Sequence, residues 1–86
     1  MASYRIEFTH SAERDLRRLD RSMLARVMAA IDALSDEPRP SGVKKLVGSE
    51  LTYRIRVGDY RVVYSIEDRM LLLLIQRIRH RSDVYR

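Results

Sequence analysis

Residues 52–66 read TYRIRVGDYRVVYSI, and this stretch decides the fold. Apolar side chains fall on every second position of two arms, Tyr53, Ile55 and Val57 on the first, then Tyr60, Val62, Tyr64 and Ile66 on the second. That period belongs to half-buried strands. Between the arms stands Gly58-Asp59, a two-residue Gly-X connection of the kind that closes a type II′ hairpin. A loop of that length sets the register: Val57 faces Tyr60, Arg56 faces Arg61, Ile55 faces Val62 and Arg54 faces Val63. One face is then apolar and aromatic, and the other carries the guanidiniums of Arg54, Arg56 and Arg61. Directly opposed like charges destabilise a sheet. A sequence that needed only a stable hairpin would gain by replacing Arg56 or Arg61, so their presence points to a polyanion on that face.

The rest of the composition bounds what surrounds the hairpin. Eighty-six residues suit one domain, 1–86, with a modest core. There is no cysteine, which removes disulfides and cysteine-ligated metals and fits a reducing cytosol. The N-terminus lacks a signal-like pattern, and the longest apolar run, Met70 to Ile75, is too short to span a bilayer, so a soluble cytoplasmic protein is expected. The formal charge of +5 is uneven: residues 1–37 hold six Arg and seven acids, whereas residues 38–86 hold eleven Lys or Arg and five acids. A basic half-surface of this kind is the footprint of a nucleic-acid binder, although an acidic protein partner would select it too.

In chain order, Tyr4 to Phe8 alternates as a first strand, and Thr9 or Ser11 can cap the helix that follows. From Ala12 the pattern turns helical, with Ala12, Leu16 and Leu19 on one stripe and Arg14, Asp15, Arg17 and Arg18 outside it. Asp20 to Ser22 separates a second helix, in which Leu24, Val27, Met28, Ile31 and Leu34 recur at spacings of three and four. Pro38, Pro40 and Gly42 end it. Val43 to Gly48 leads into the hairpin, and Glu67-Asp68-Arg69 turns into a last strand from Met70 to about Ile78. Leu71 to Ile75, apolar at both parities, suits a central or doubly covered strand. The expected fold is α+β, two helices on one face of a small antiparallel sheet in the order β-α-α-β-β-β.

Little metal or nucleotide chemistry is available. His10 and His80 lie far apart with no carboxylate at ligand spacing, and Gly42, Gly48 and Gly58 fit no phosphate-loop motif, so no cofactor is expected. What remains is the arginine face, with Arg79, His80, Arg81 and Tyr85 at the end of a strand of the same sheet. These residue types suit metal-free RNA cleavage, in which a 2′-hydroxyl attacks the adjacent phosphate, cations hold the charge that develops, and proton carriers serve the attacking and leaving oxygens.

The segments YRIEFTHSAERDLRRLD (4–20), LVGSELTYRIRVGDYRVVYSI (46–66) and RHRSDVYR (79–86) resemble the RelE/ParE superfamily of bacterial and archaeal toxins. For a RelE-type member the resemblance implies an endoribonuclease that enters the ribosomal A site, cuts translated mRNA and is neutralised by a cognate RelB-like antitoxin in a hetero-oligomer. Its functional positions fall on Arg54, Arg56, Arg61, Arg81 and Tyr85. Where relatives carry lysine on the first arm, this chain has Arg54 and Arg56, which stay protonated and clamp phosphate rather than accept protons.

The assignment that follows gives the scissile phosphate to Arg56 and Arg61, the leaving-group side to Arg81 and the nucleotide near the 2′-hydroxyl to Tyr85. His80 is the candidate for acid-base work, Arg54, Lys44, Lys45 and Arg79 for further RNA contacts, and the general base is unassigned. The plainer alternative pairs the arginines with Glu67, Asp68 and Asp83 as a solvated face. A ParE-type reading makes the same scaffold a non-catalytic inhibitor of DNA gyrase.

Overall fold

The computed structural model describes residues 3–46 and 51–83. Strand β1 (Arg5–Phe8) runs into helix α1 (His10–Arg17), and helix α2 (Arg21–Asp36) follows. A two-residue strand β2 (Lys44–Lys45) precedes the hairpin β3 (Thr52–Val57) and β4 (Tyr60–Glu67). Strand β5 (Leu72–His80) ends in a single 3-10 turn, Arg81–Asp83.

Local chemistry sets these boundaries. Thr9 rather than Ser11 caps α1, its Oγ1 accepting the Ala12 N–H at 3.0 Å. Asp20 caps α2 by accepting the Met23 N–H at 2.8 Å. In the hairpin turn Gly58 has φ +60°, and Asp59 is not among the residues with positive φ, as type II′ requires. A side chain at Gly58 would be strained in φ and would stand 3.3 Å from the Met23 methyl and an Arg26 guanidinium nitrogen.

The described strands form one sheet in the order β1-β5-β4-β3-β2. The hairpin register is the expected one, Arg54 opposite Val63, Ile55 opposite Val62, Arg56 opposite Arg61 and Val57 opposite Tyr60. Two features go beyond the expected four-stranded antiparallel sheet. Lys44 and Lys45 add a short edge strand by pairing with Arg54 and Tyr53. Strand β1 lies parallel to β5, Arg5 opposite Leu72 and Phe8 opposite Ile75. A parallel neighbour needs a long crossover, which the two helices supply. The last strand also starts later than Met70. Leu71, at φ 50°, and the exposed Met70 belong to the turn after β4.

Both helices cover the apolar face of the sheet. Val27, Ile31 and Leu34 of α2 are buried in one cluster with Val62, Tyr64, Ile66, Leu73 and Ile75. Leu72 and Leu74, on the opposite parity of β5, are only half-buried, so this strand is central in the sheet but covered on one face.

Tyr64 is the largest fully buried side chain, and its hydroxyl donates to the Pro38 carbonyl at 2.7 Å. Burial pushes its phenol up to about 12. The folded chain therefore favours the neutral ring. The stability this contributes is complete below the ordinary tyrosine value of about 10 and is lost as pH rises through about 12. Tyr64→Phe should be less stable at neutral pH by about 1 kcal/mol, the worth of one hydrogen bond, yet lose less stability on alkalinisation. Denaturant unfolding at neutral pH and at about pH 11 checks this; an alkaline loss as steep in Tyr64→Phe as in the wild type contradicts it.

Candidate nucleic-acid interface

The site is built by a bulge in β5. Val63 pairs with Arg77 and Tyr64 with Ile75, so Gln76 is an extra residue on β5. The alternation shifts there: Leu73 and Ile75 point to the helices, and so does Ile78, three positions on from Ile75. Arg79 consequently lies on the face away from the helices, directly opposite Arg61. Without the extra residue the same sequence would turn Arg79 inward and Ile78 outward.

The first helix holds this bulge. The Thr9 N–H donates to the Ile75 carbonyl at 3.0 Å, and the Thr9 hydroxyl donates to the Gln76 carbonyl at 2.9 Å. The Asp15 carboxylate accepts the Ile78 N–H at 2.9 Å and the Arg77 Nε–H at 2.9 Å. Asp15 is only 7% exposed, which corrects its placement outside the buried stripe of α1. Its pairing with a guanidinium and a backbone amide makes that burial tolerable.

The outer face then carries two rows of cations. Arg56, Arg61 and Arg79 are cross-strand neighbours on β3, β4 and β5. The next row runs Lys44, Arg54, Val63, Arg77. After β5 the Arg81 N–H donates to the Asp59 carbonyl at 2.8 Å, which ties the 3-10 turn to the hairpin turn. A hollow of about 430 Å³ opens there, lined by Arg56, Asp59, Tyr60, Arg61, Arg81 and Ser82. A smaller hollow of about 130 Å³ shares Arg56 and Arg61 with it and continues to Arg54 and Lys44. The two make one basic trough.

Of these cations Arg77 is held in an ion pair by Asp15, and the others form none among the described residues, although Asp59 lines the larger hollow. The ion pairs among the described residues are Arg5 with Glu7, His10 with Glu13, Arg39 with Asp68, and Arg77 with Asp15. Asp68 is engaged by Arg39 at 3.0 Å and by the Tyr4 hydroxyl at 2.6 Å, and these hydrogen bonds, that from Arg39 foremost, hold its carboxyl below the usual range. Glu67 accepts the Arg69 N–H, and the Asp83 carboxylate accepts the His80 N–H. None of these three acids neutralises Arg54, Arg56 or Arg61, against the plainer reading of the face. Arg56 turns its Nε–H to the Gly58 carbonyl at 2.9 Å.

The structure thus gathers Arg54, Arg56, Arg61, Arg79, Arg81 and Lys44 on one side. It separates two other candidates. Lys45 pairs with Tyr53 and so alternates toward the helix side. His80 pairs with Tyr60 and does the same, its ring edge-on to Tyr60 at 5.0 Å and lining a separate hollow with Arg18, Leu19 and Ile78. Tyr85 lies outside the described residues. Sequence reasoning overlooked Asp59, Tyr60 and Ser82 as lining residues. It also overlooked the bulge, whose signal is the spacing of three between Ile75 and Ile78 in a strand of period two.

The structure defines a small α+β domain, two helices on one face of a five-stranded sheet and an arginine-lined trough on the other. The chain belongs to the RelE/ParE family: a profile of the ParE toxin of type II toxin-antitoxin systems matches residues 6–85. It is 39% identical to toxin RelG of Mycobacterium tuberculosis, covering 96% of this chain and 97% of that one. To putative toxin RelE1 of Methanocaldococcus jannaschii it is 31% identical, covering 96% of each. Among solved structures, the RelE-RelB complex of Pyrococcus horikoshii superposes with TM-score 0.82 at 31% identity, over 92% of this chain and 96% of that one. The RelBE2 toxin-antitoxin complex of M. tuberculosis gives 0.82 at 37% identity, over 96% and 97%.

Asp15→Ala should orphan the buried Ile78 N–H and release Arg77, lowering stability by on the order of 2 kcal/mol. Hydrogen exchange at the Ile78 amide should accelerate with it. A variant of wild-type stability with slow Ile78 exchange contradicts the assigned grip on the bulge.

Proposed function

We propose that this protein is the toxin of a type II toxin-antitoxin pair, a single domain over residues 1–86 that acts in the cytoplasm by cutting translated mRNA in the ribosomal A site. The observation that carries the reading is the cross-strand row Arg56-Arg61-Arg79, of which Arg56 and Arg61 line one trough with Arg81, and none of these four guanidiniums forms an ion pair among the described residues. In the proposed reaction the 2′-hydroxyl gives its proton to water, its oxygen attacks phosphorus, the bond to the 5′-oxygen breaks, and that oxygen takes a proton from water, leaving a cyclic phosphate and a 5′-hydroxyl. Arg56 and Arg61 hold the phosphate while negative charge builds on its oxygens, and Arg81 serves the leaving side. Tyr85, four residues after Arg81 in the chain, is assigned to stacking on or orienting the nucleotide. Lys44, Arg54 and Arg79 contact flanking phosphates. No metal ion takes part in this scheme.

Guanidiniums do not accept protons at physiological pH, so the trough supplies charge stabilisation rather than a base. The alignment of the attacking oxygen is left to the ribosome. Naked mRNA should therefore be cut poorly. The partner in the resting state is a RelB-like antitoxin, supported by relatives solved as RelE-RelB complexes. Its acidic residues would occupy the trough and compete with RNA. Gyrase inhibition is the less favoured reading, because the similar curated toxins are RelG and RelE.

Primer extension on mRNA in a purified translation system tests the proposal. Cleavage on programmed ribosomes is expected, with Arg61→Ala and Arg81→Ala each lowering the rate by roughly 10² to 10³. Equal cleavage of naked RNA at the same protein concentration removes the ribosome from the account. No cleavage, together with inhibition of gyrase supercoiling, overturns the nuclease.

A further inference from the structure

We propose that His80 is a positioning residue for Arg81, acting through an unprotonated Nδ1, and not a proton carrier to substrate. The Ser82 N–H donates to His80 Nδ1 at 3.2 Å, and the Ser82 hydroxyl stands 2.8 Å from the same nitrogen. A ring nitrogen that accepts a backbone N–H carries no proton, so the imidazole is neutral with its proton on Nε2. An acceptor on residue i that takes the N–H of residue i+2 reproduces the Asx-turn, which asparagine and aspartate make with a side-chain oxygen. His80 builds that turn with a ring.

The turn fixes Arg81 from both sides. The His80 N–H donates to Asp83 Oδ2 at 3.3 Å, and Arg79 Nη2 donates to the Asp83 carbonyl at 3.3 Å. The Arg81 N–H donates to the Asp59 carbonyl at 2.8 Å. Residues 79–83 are thereby closed on themselves and fastened to the hairpin turn, and Arg81 is aimed into the hollow with Arg56 and Arg61. The ring itself is on the other side of the sheet, edge-on to Tyr60 at 5.0 Å. Tyr60 lines the hollows on both sides of the sheet, and Ser82, which touches Nδ1, lines the trough.

Protonation would turn Nδ1 from acceptor to donor, break the Ser82 N–H contact and loosen Arg81. The hollow beside the ring is lined by Tyr60 from β4, Asp15 from α1, Arg18 at its C-terminal end, and Asp83 from the turn. The effect of this turn on Arg81-dependent cleavage rests on the proposed nuclease activity.

Three proteins decide it: wild type, His80→Asn, which can make the Asx-turn, and His80→Phe, which keeps a ring without an acceptor. At about pH 8 the Asn variant should cleave ribosome-bound mRNA within about 3-fold of wild type, and the Phe variant should fall by on the order of 10-fold or more. Two readouts are independent of activity. Nitrogen chemical shifts should show the His80 proton on Nε2, and exchange of the Arg81 amide should be slow in wild type and Asn but faster in Phe. A proton on Nδ1, an Asn variant as inactive as a folded Phe variant, or a fully active Phe variant overturns the proposal. Should wild type cut no RNA, the nuclease reading falls while tautomer and exchange still decide His80.

Discussion

The hold of α1 on the bulge of β5 is the interaction on which the rest of the structure depends. Three backbone groups around Gln76 that a regular ladder would pair are met by Thr9 and Asp15 instead. Thr9 also caps α1 and Asp15 neutralises Arg77, so one short helix supports the fold and the site together. Because side chains alternate with period two, one extra residue reverses every later assignment in the strand. Arg79 on the open face, Ile78 in the core and His80 on the helix side follow from it.

Charge is distributed by engagement rather than by count. Three acids close to the sheet are bound elsewhere, Asp68 to Arg39, Asp83 to the turn of Arg81, and Asp15 to the bulge, while Asp59 lines the trough without an ion pair. The result is a row of guanidiniums on adjacent strands that forms no ion pair among the described residues. Such a row costs on the order of a few tenths to 1 kcal/mol per facing pair. Local conflict of this kind is common at sites whose ligand resolves it. The proposed ligand class follows from the donors, since planar forks spaced along a sheet suit phosphate oxygens.

The hairpin was legible in the sequence because turn chemistry and period two are both local. Gly58-Asp59 and the alternation from Tyr53 to Ile66 determine the register of Arg56 and Arg61 before any tertiary contact is known. The cap at Thr9 or Ser11 and the helix break at Asp20 to Ser22 are readable for the same reason, and the structure makes Thr9 and Asp20 the caps. The parallel partnership of β1 and β5 is not local, since it joins the first strand to the last across both helices. Asp15 was misplaced because a carboxylate on a helix is expected outside, and only the bulge gives it donors to justify burial. His80 was grouped with its arginine neighbours by sequence adjacency, whereas strand alternation places adjacent residues on opposite faces.

The central claim is that the opposed arginines are retained for a phosphate ligand at some expense in stability. Thermal unfolding of wild type and Arg61→Thr, with and without a short oligonucleotide that cannot be cut because its scissile position lacks the 2′-hydroxyl, tests it most directly. Without ligand at low salt the variant should melt at the same temperature as wild type or higher. With ligand the wild type should gain several degrees and the variant much less. A variant that melts several degrees lower without ligand, and that the oligonucleotide stabilises as much as wild type, would place Arg61 in the structural framework and leave the trough without its assigned ligand.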